Sequence, residues 1–435
     1  MIEMAESAGT SHGALEHAAL TDVGLRRANN QDAFAIVLAA DDQDARRQGN
    51  LLMVADGMGA HAAGELASKI ACESLPHTYR KLVDRPPADA LRQAVLAANA
   101  SIHERGQANA EFQGMGTTCS VLLLLPHTAI VAHVGDSRVY RLRGRTLDQL
   151  TFDHSLVWEM LAAGQMPRGE AASFIPKNII TRSLGPHADV QVDLEGPFPL
   201  EVGDTFLLCS DGLSGQVKDE EIGPILAALS PSEAVRLLVD MANLRGGPDN
   251  ITALVAHVLA VPAGNPELPP PIVKGARPSA HPALWCLLAL CGLIAVGLAG
   301  SGYYVGALIS GLLAVATGLV GLVQNTRNRS APAATGLDGP FGSGPHTSHD
   351  GVPRAESVAV LCQMAQQLRE AAKDEHWTLD WGRFNGYCEQ AQTALAAADF
   401  KRAVRQYALA ISFMMSELRR RPPGKDQRDS TVLDL

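Results

Sequence analysis

The chain has no cysteine pair spaced to hold a metal or a redox couple, no cluster of lysines and arginines in its first half, and no cationic, apolar leader at its start. Its seven cysteines (72, 119, 209, 286, 291, 362 and 388) form no CxxC motif, and several sit in apolar runs where a thiol behaves as a small hydrophobe, so a reducing compartment is expected. Asp and Glu outnumber Lys and Arg by 46 to 36, a formal net charge of −10, which argues against general nucleic-acid binding because neutralising phosphates needs clustered cations. Acidity instead fits a cation site. The acidic opening of residues 1–20 lacks a positively charged start followed by an apolar run, and the first domain is expected to stay where it is made.

At 435 residues the chain exceeds one compact core, so two or three units are expected. After a flexible N-terminus, 1–17, residues 18–260 alternate short apolar or β-branched runs with amphipathic ones, broken by Gly, Asp and Asn. Strands are expected at 33–38, 51–55, 119–125, 129–134, 138–142, 205–209 and 251–258, and helices at 64–83, 87–108, 155–163 and 232–243. Several strands follow one another without a helix between them, which favours antiparallel pairing and an α+β architecture of central sheets flanked by helices.

Residues 261–282 are Pro-rich and aperiodic, a linker. The stretch 283–323 contains no charged residue, and a single helix of that length would run roughly 60 Å, about twice a bilayer core. Two transmembrane helices fit better, turning at Ala299, Gly300, Ser301 and Gly302; Lys274, Arg277, Arg327 and Arg329 on the flanks put both ends in the cytoplasm. A flexible linker is expected over 324–353, then an all-α module over 354–421 and a disordered tail, 422–435.

The chemistry is carried by aspartates at the ends of apolar runs: Asp56 after LLMVA, Asp136 after VAHVG, Asp211 after FLLCS and Asp249 before ITALVAHV. Singly, each reads equally well as a turn residue. Together, four carboxylates at strand mouths could converge, and converging carboxylates repel unless a cation neutralises them. Ligation by oxygen alone selects Mg²⁺ or Mn²⁺ over Zn²⁺.

The segments TDVGLRRANNQDAF, VADGMGAHAAGELAS, MGTTCSVLLLL, VAHVGDSRVYRL, LTFDHSLV, LLCSDGLSGQV and GGPDNITALV follow one another here as in the metal-dependent protein phosphatase family, type 2C, which the chain resembles over about 18–259. The resemblance implies an antiparallel β-sandwich between pairs of helices, with a two-metal centre at one end. It implies that Asp56 bridges two Mg²⁺ or Mn²⁺ ions, that the Gly57 carbonyl binds one of them, and that Asp211 and Asp249 complete the pair. Asp32 matches the position holding a metal-bound water, Asp136 a ligand of a third, weaker site, Arg27 the phosphate-binding arginine, and His61 the general acid. The implied activity is hydrolysis of phosphoserine and phosphothreonine in proteins. Opposition to a bacterial serine/threonine kinase is expected at the inner membrane, with the catalytic and C-terminal parts facing the cytoplasm and the C-terminal helices binding a protein partner.

The sequence departs from the family pattern in three places. Ala60 stands where Gly is usual, Gln31 where Glu is, and Ile175 replaces His-Pro in the flap segment.

Overall fold

The computed structural model describes residues 4–11, 14–59, 62–165, 179–262, 344–377 and 379–420, with 294, 300, 301, 303–306, 308 and 342 as isolated positions. Two antiparallel sheets stack face to face. One has seven strands in the order β1-β2-β12-β11-β8-β9-β13 and the other five along its path, β10-β7-β6-β4-β3, with short β5 (Gly116–Thr117) paired to β4. The first sheet comprises β1 (Met4–Ser11), β2 (Leu15–Asp22), β8 (Arg138–Arg143), β9 (Thr146–Gln149), β11 (Thr205–Cys209), β12 (Ile251–Val258) and β13 (Thr347–Asp350). The second comprises β3 (Asp32–Val37), β4 (Asn50–Met58), β6 (Cys119–Leu124), β7 (Thr128–Val134) and β10 (Asp193–Pro199).

Side-chain alternation explains the layering. Along β4, Leu52 and Val54 enter the core between the sheets with Leu122, Phe206, Leu208 and Leu254. Leu51, Met53 and Ala55 point the other way, under helices α2 (Ala63–Lys81) and α3 (Pro87–Ala108). A strand buried on both faces reads as an unbroken apolar run, which is why it was visible as LLMVA. Five further helices lie among the described residues of this part of the chain: α1 (Asp42–Arg47), α4 (Leu156–Ala162), the single turn α5 (Asp211–Ser214), α6 (Asp219–Ala228) and α7 (Pro231–Leu244). Pro231 opens α7, and its Ser230 and Glu233 form a capping box.

Three expectations are corrected. The N-terminus expected to be flexible contains β1, paired with β2 from Met4 opposite Asp22 to Ser11 opposite Leu15; its Ala, Ser, Gly and Thr content gives no local strand signal, and the pairing supplies the order. The linker expected to end at 353 contains β13, paired to β9 with Thr347 opposite Gln149 and Asp350 opposite Thr146.

The third concerns the C-terminal module over 354–421, which is all-α as expected but is not a unit of its own. Its helices α8 (Ala355–Asp374), α9 (Trp381–Ala396) and α10 (Phe400–Arg419) share one core with α6 and α7, in which Leu361, Met364, Tyr407 and Ile411 join Ile222, Leu237 and Leu238. Asp240, fully buried on α7, takes Arg419 of α10 at 2.5 Å, and Glu233 takes Arg405 at 2.9 Å.

The expected transmembrane hairpin at 283–323 lies outside the described residues except for isolated positions, as do most of 261–282 and all of 421–435. Among the described residues no helix is long and apolar enough to cross a membrane. The five described cysteines are free.

Candidate functional site

Aspartates at the ends of β3, β4, β7, β11 and β12 meet at one end of the sandwich. Asp32 and Asp56 lie directly opposite each other in the β3–β4 register, so their carboxyls are neighbours by construction. The end of β4 is clamped: the Asp56 amide donates to Thr118 Oγ1 at 2.9 Å, and the Asp56 carbonyl accepts from the Thr117 hydroxyl at 2.9 Å and the Thr118 amide at 2.8 Å. Gly57 follows because α2 starts against it; a Cβ there would overlap the Gly64 carbonyl. Asp211 opens α5 one residue after the end of β11, and its carboxyl interacts through charge with that of Asp56. Asp136 sits in the β7–β8 turn behind Gly135, which has φ +115° and packs against Thr118.

Asp249 precedes β12 and forms an ion pair with Arg27, Nη2 to Oδ2, at 2.7 Å. Arg27 is half exposed, on a loop held by Asn250, the residue after Asp249. Asn250 Nδ2 donates to the carbonyls of Val23 at 2.9 Å and Asn29 at 3.0 Å, and its Oδ1 accepts from the Gln31 amide at 2.8 Å. The Asp-Asn dipeptide therefore joins a carboxylate of the cluster to the loop that carries the arginine. The only sequence signal for that clasp was its adjacency to Asp249.

The electrostatics are those of crowded acids. Burial, then Asp32, Asp211, Asp136 and Asp249, push the Asp56 carboxyl well above the usual range. Burial raises Asp32 to about 7, although it accepts from Ser210 Oγ at 2.6 Å and Thr252 Oγ1 at 2.7 Å. Burial, with Asp211 and Asp153 nearby, raises Asp136 to about 8. Asp211 is raised by burial and by Asp249.

One oxygen each of Asp32 and Asp136 is buried without a hydrogen-bond partner. Buried, mutually repelling carboxyls with unused oxygens and no thiol or imidazole among them fit a hard divalent cation. Among the described residues no three such side chains are already drawn into a finished coordination shell. The carboxyls interact through charge rather than closing on one point.

His61 and Ala60 lie outside the described residues, as does Ile175 in the flap. The other expected positions, Arg27, Asp32, Asp56, Gly57, Asp136, Asp211 and Asp249, are brought to this end of the sandwich. His133 and His154 stack behind it with ring centroids 4.9 Å apart. His133 is bonded to Ser120 and the Phe152 carbonyl, and burial lowers its pKa to about 3, so the ring is neutral.

A family model described as Protein phosphatase 2C matches residues 26–243. The protein phosphatase PhpP of Streptococcus pneumoniae is 41% identical over 252 residues, 56% of this chain and 97% of that protein. The serine/threonine protein phosphatase PstP of Mycobacterium tuberculosis is 37% identical over 265 residues, 60% of this chain and 48% of that protein. A crystal structure of the M. tuberculosis serine/threonine phosphatase PstP/Ppp superposes with a TM-score of 0.50 at 37% identity, covering 57% of this chain and all of that one. With half of its length matched by that family model, and with strands of both sheets and Asp32, Asp56, Asp136 and Asp211 inside the match, the chain belongs to the protein phosphatase 2C family.

Proposed function

We propose that this chain is a metal-dependent protein phosphatase that hydrolyses phosphoserine and phosphothreonine in proteins, opposing a serine/threonine kinase. The observation that carries the reading is the gathering of Asp32, Asp56, Asp136, Asp211 and Asp249, the first and third buried and the others half-buried, into one mutually repelling set with Arg27 at its rim. Two Mg²⁺ or Mn²⁺ ions would be held by Asp56, the Gly57 carbonyl, Asp211 and Asp249, with a third at Asp136; when bound they neutralise these carboxylates and make water acidic enough to attack phosphorus near neutral pH.

The chain's own residues do the rest. Arg27, free to swing from Asp249 to a substrate, offers a planar fork for two phosphate oxygens and offsets the charge that develops there. Asp32, tethered by Ser210 and Thr252 through one oxygen, keeps its other oxygen to orient the attacking water. His61 is assigned the proton that the departing serine or threonine oxygen needs. No covalent phosphoenzyme is required.

The uncharged 283–323 segment is proposed as a helical hairpin in the cytoplasmic membrane, keeping the catalytic part near membrane-bound substrates. Extraction of the protein from membranes by alkaline carbonate without detergent would count against it. The C-terminal helices remain proposed as a partner-binding surface, through the face that does not pack on α6 and α7.

The phosphatase reading is tested by phosphate release from a phosphoserine peptide with Mn²⁺, with and without chelator, beside Asp211→Asn. Activity that survives both the chelator and the substitution would refute it.

A further inference from the structure

Residues 344–350 lie outside the stretch matched to the family, yet they bridge the two sheets along one edge. Glu195, on β10 of the second sheet, is only 3% exposed. A carboxylate this deep needs donors. Those that reach it are the Gly344 amide at 2.9 Å and His346 Nε2 at 3.1 Å. On the first sheet the His346 amide donates to the Gln149 carbonyl at 2.9 Å, and β13 pairs onward along β9.

The strap also touches the groups that fix Arg138. Arg138 grips Asp153, with Nε 2.9 Å and Nη2 2.8 Å from Oδ2. Its Nη1 donates to Tyr140 Oη at 2.8 Å and lies 3.5 Å from Asp219, and its guanidinium sits over Trp158, 5.7 Å from the ring centroid. The strap meets Asp219 directly and reaches Asp153 and Trp158 through one intervening residue each. Gln149, bonded to the His346 amide through its carbonyl, donates from Nε2 to Asp153 at 2.8 Å. Phe152 packs edge-on to Trp158 at 5.3 Å and to the His346 ring at 5.6 Å. His349 lies 3.4 Å from Asp219 and 3.4 Å from Glu220. Arg138 is two residues beyond Asp136, at the start of β8 where the turn ends, and it and Asp153 both act on the Asp136 carboxyl through charge.

We infer that the C-terminal strap is a positioning element of the phosphatase centre: His346 and His349 fix the residues that hold Arg138, and through Arg138 the turn that carries Asp136. The inference rests on the reading of Asp136 as a metal-binding carboxylate. It differs from a mere covering of a sheet edge in one respect. Residues that orient a ligand from behind change metal affinity, typically ten- to a hundred-fold when removed, whereas an edge cover changes stability alone.

The test uses the full chain. Mn²⁺ binding is measured by isothermal titration calorimetry, and the Mn²⁺ dependence of phosphopeptide hydrolysis beside it, for the wild type, His346→Ala, His349→Ala, His346→Gln and Ser348→Ala. Gln can present an amide where His346 presents Nε2, and Ser348 bonds Asp148 at 2.7 Å, which pairs with a different arginine, Arg141. The two alanine variants at histidine should weaken the weakest Mn²⁺ step on the order of ten-fold and raise the half-activating Mn²⁺ concentration equally, with the rate restored at excess Mn²⁺. His346→Gln and Ser348→Ala should bind as the wild type does.

Unchanged Mn²⁺ affinity in both histidine-to-alanine variants would overturn the inference while leaving the phosphatase reading intact. So would a loss of rate, accompanied by a lower melting temperature, that excess Mn²⁺ does not restore. A wild type that neither binds Mn²⁺ nor releases phosphate would overturn both.

Discussion

Raising the pH of the metal-free protein from about 6.5 to about 8 should lower its stability, and Mn²⁺ should abolish that loss. Burial and the neighbouring Asp211 and Asp153 push the Asp136 carboxyl up to about 8 from 3.8. Between those values the folded chain keeps a proton that the unfolded chain has released. Stability therefore falls as pH rises through the window and is fully lost only above the folded pKa.

Over ~1.5 pH units at ~1.4 kcal/mol each, Asp136 contributes a loss of ~2 kcal/mol, and Asp56, raised by burial and its acidic neighbours, acts in the same direction. The window is chosen above the ordinary histidine range, because His133, neutral in the fold down to about 3, acts in the opposite direction below 6.5. For a chain of 435 residues the loss corresponds to a fall in melting temperature of ~2 °C. The assay is thermal melting in chelator and in Mn²⁺, for the wild type and Asp136→Asn. Bound cations should hold the carboxylates ionised and remove the slope, and Asp136→Asn should flatten the chelator curve. A metal-free melting temperature that stays level or climbs across this window would refute the picture of crowded, buried acids.

Other outcomes follow from the same coordinates. Arg27→Ala should raise KM for a phosphopeptide about ten- to a hundred-fold, the worth of a charge-assisted pair, while Mn²⁺ binding by calorimetry is retained. Arg419→Met should strand the fully buried Asp240 carboxylate, cost about 3–5 kcal/mol in a melting experiment, and speed proteolytic release of the C-terminal helices. Gly212→Ala should give little folded protein by size-exclusion chromatography, because its Cβ would overlap the Asn250 carbonyl. Asn250→Ala should loosen the loop of Arg27, lowering kcat/KM on the order of ten-fold with the melting temperature in Mn²⁺ changed by less than that of Arg419→Met.

What the sequence disclosed and what it hid divide along physical lines. Strands β4, β6, β7, β11 and β12 are sandwiched on both faces, so their apolar runs were plain, and the carboxylates at their ends were legible as strand stops with a shared fate. Strand β10 carries a Gly-Pro inside it, and β9 is only four residues long, TLDQ, so neither has a periodic signal to offer. Helix α6 contains Pro224 and is ordered by the core it shares with the C-terminal helices. Strand β13, THR-SER-HIS-ASP in sequence, owes its form to a partner 200 residues away and to donors for a buried glutamate. Long-range pairing of this kind leaves no local pattern, which is why a docked strap read as a loose linker. Within the site, the aspartates were found by residue type and context, whereas the clasp by Asn250 needed the loop 23–31 to be seen closing over it.

The central claim, that the buried aspartates at one end of the sandwich work as a cation-dependent hydrolytic centre, is tested most directly by following inorganic phosphate from a phosphoserine peptide with the full chain. With Mn²⁺ the wild type should release phosphate, and either chelator or Asp211→Asn should reduce the rate to background. Equal release by the wild type in chelator and by Asp211→Asn in Mn²⁺ would contradict it.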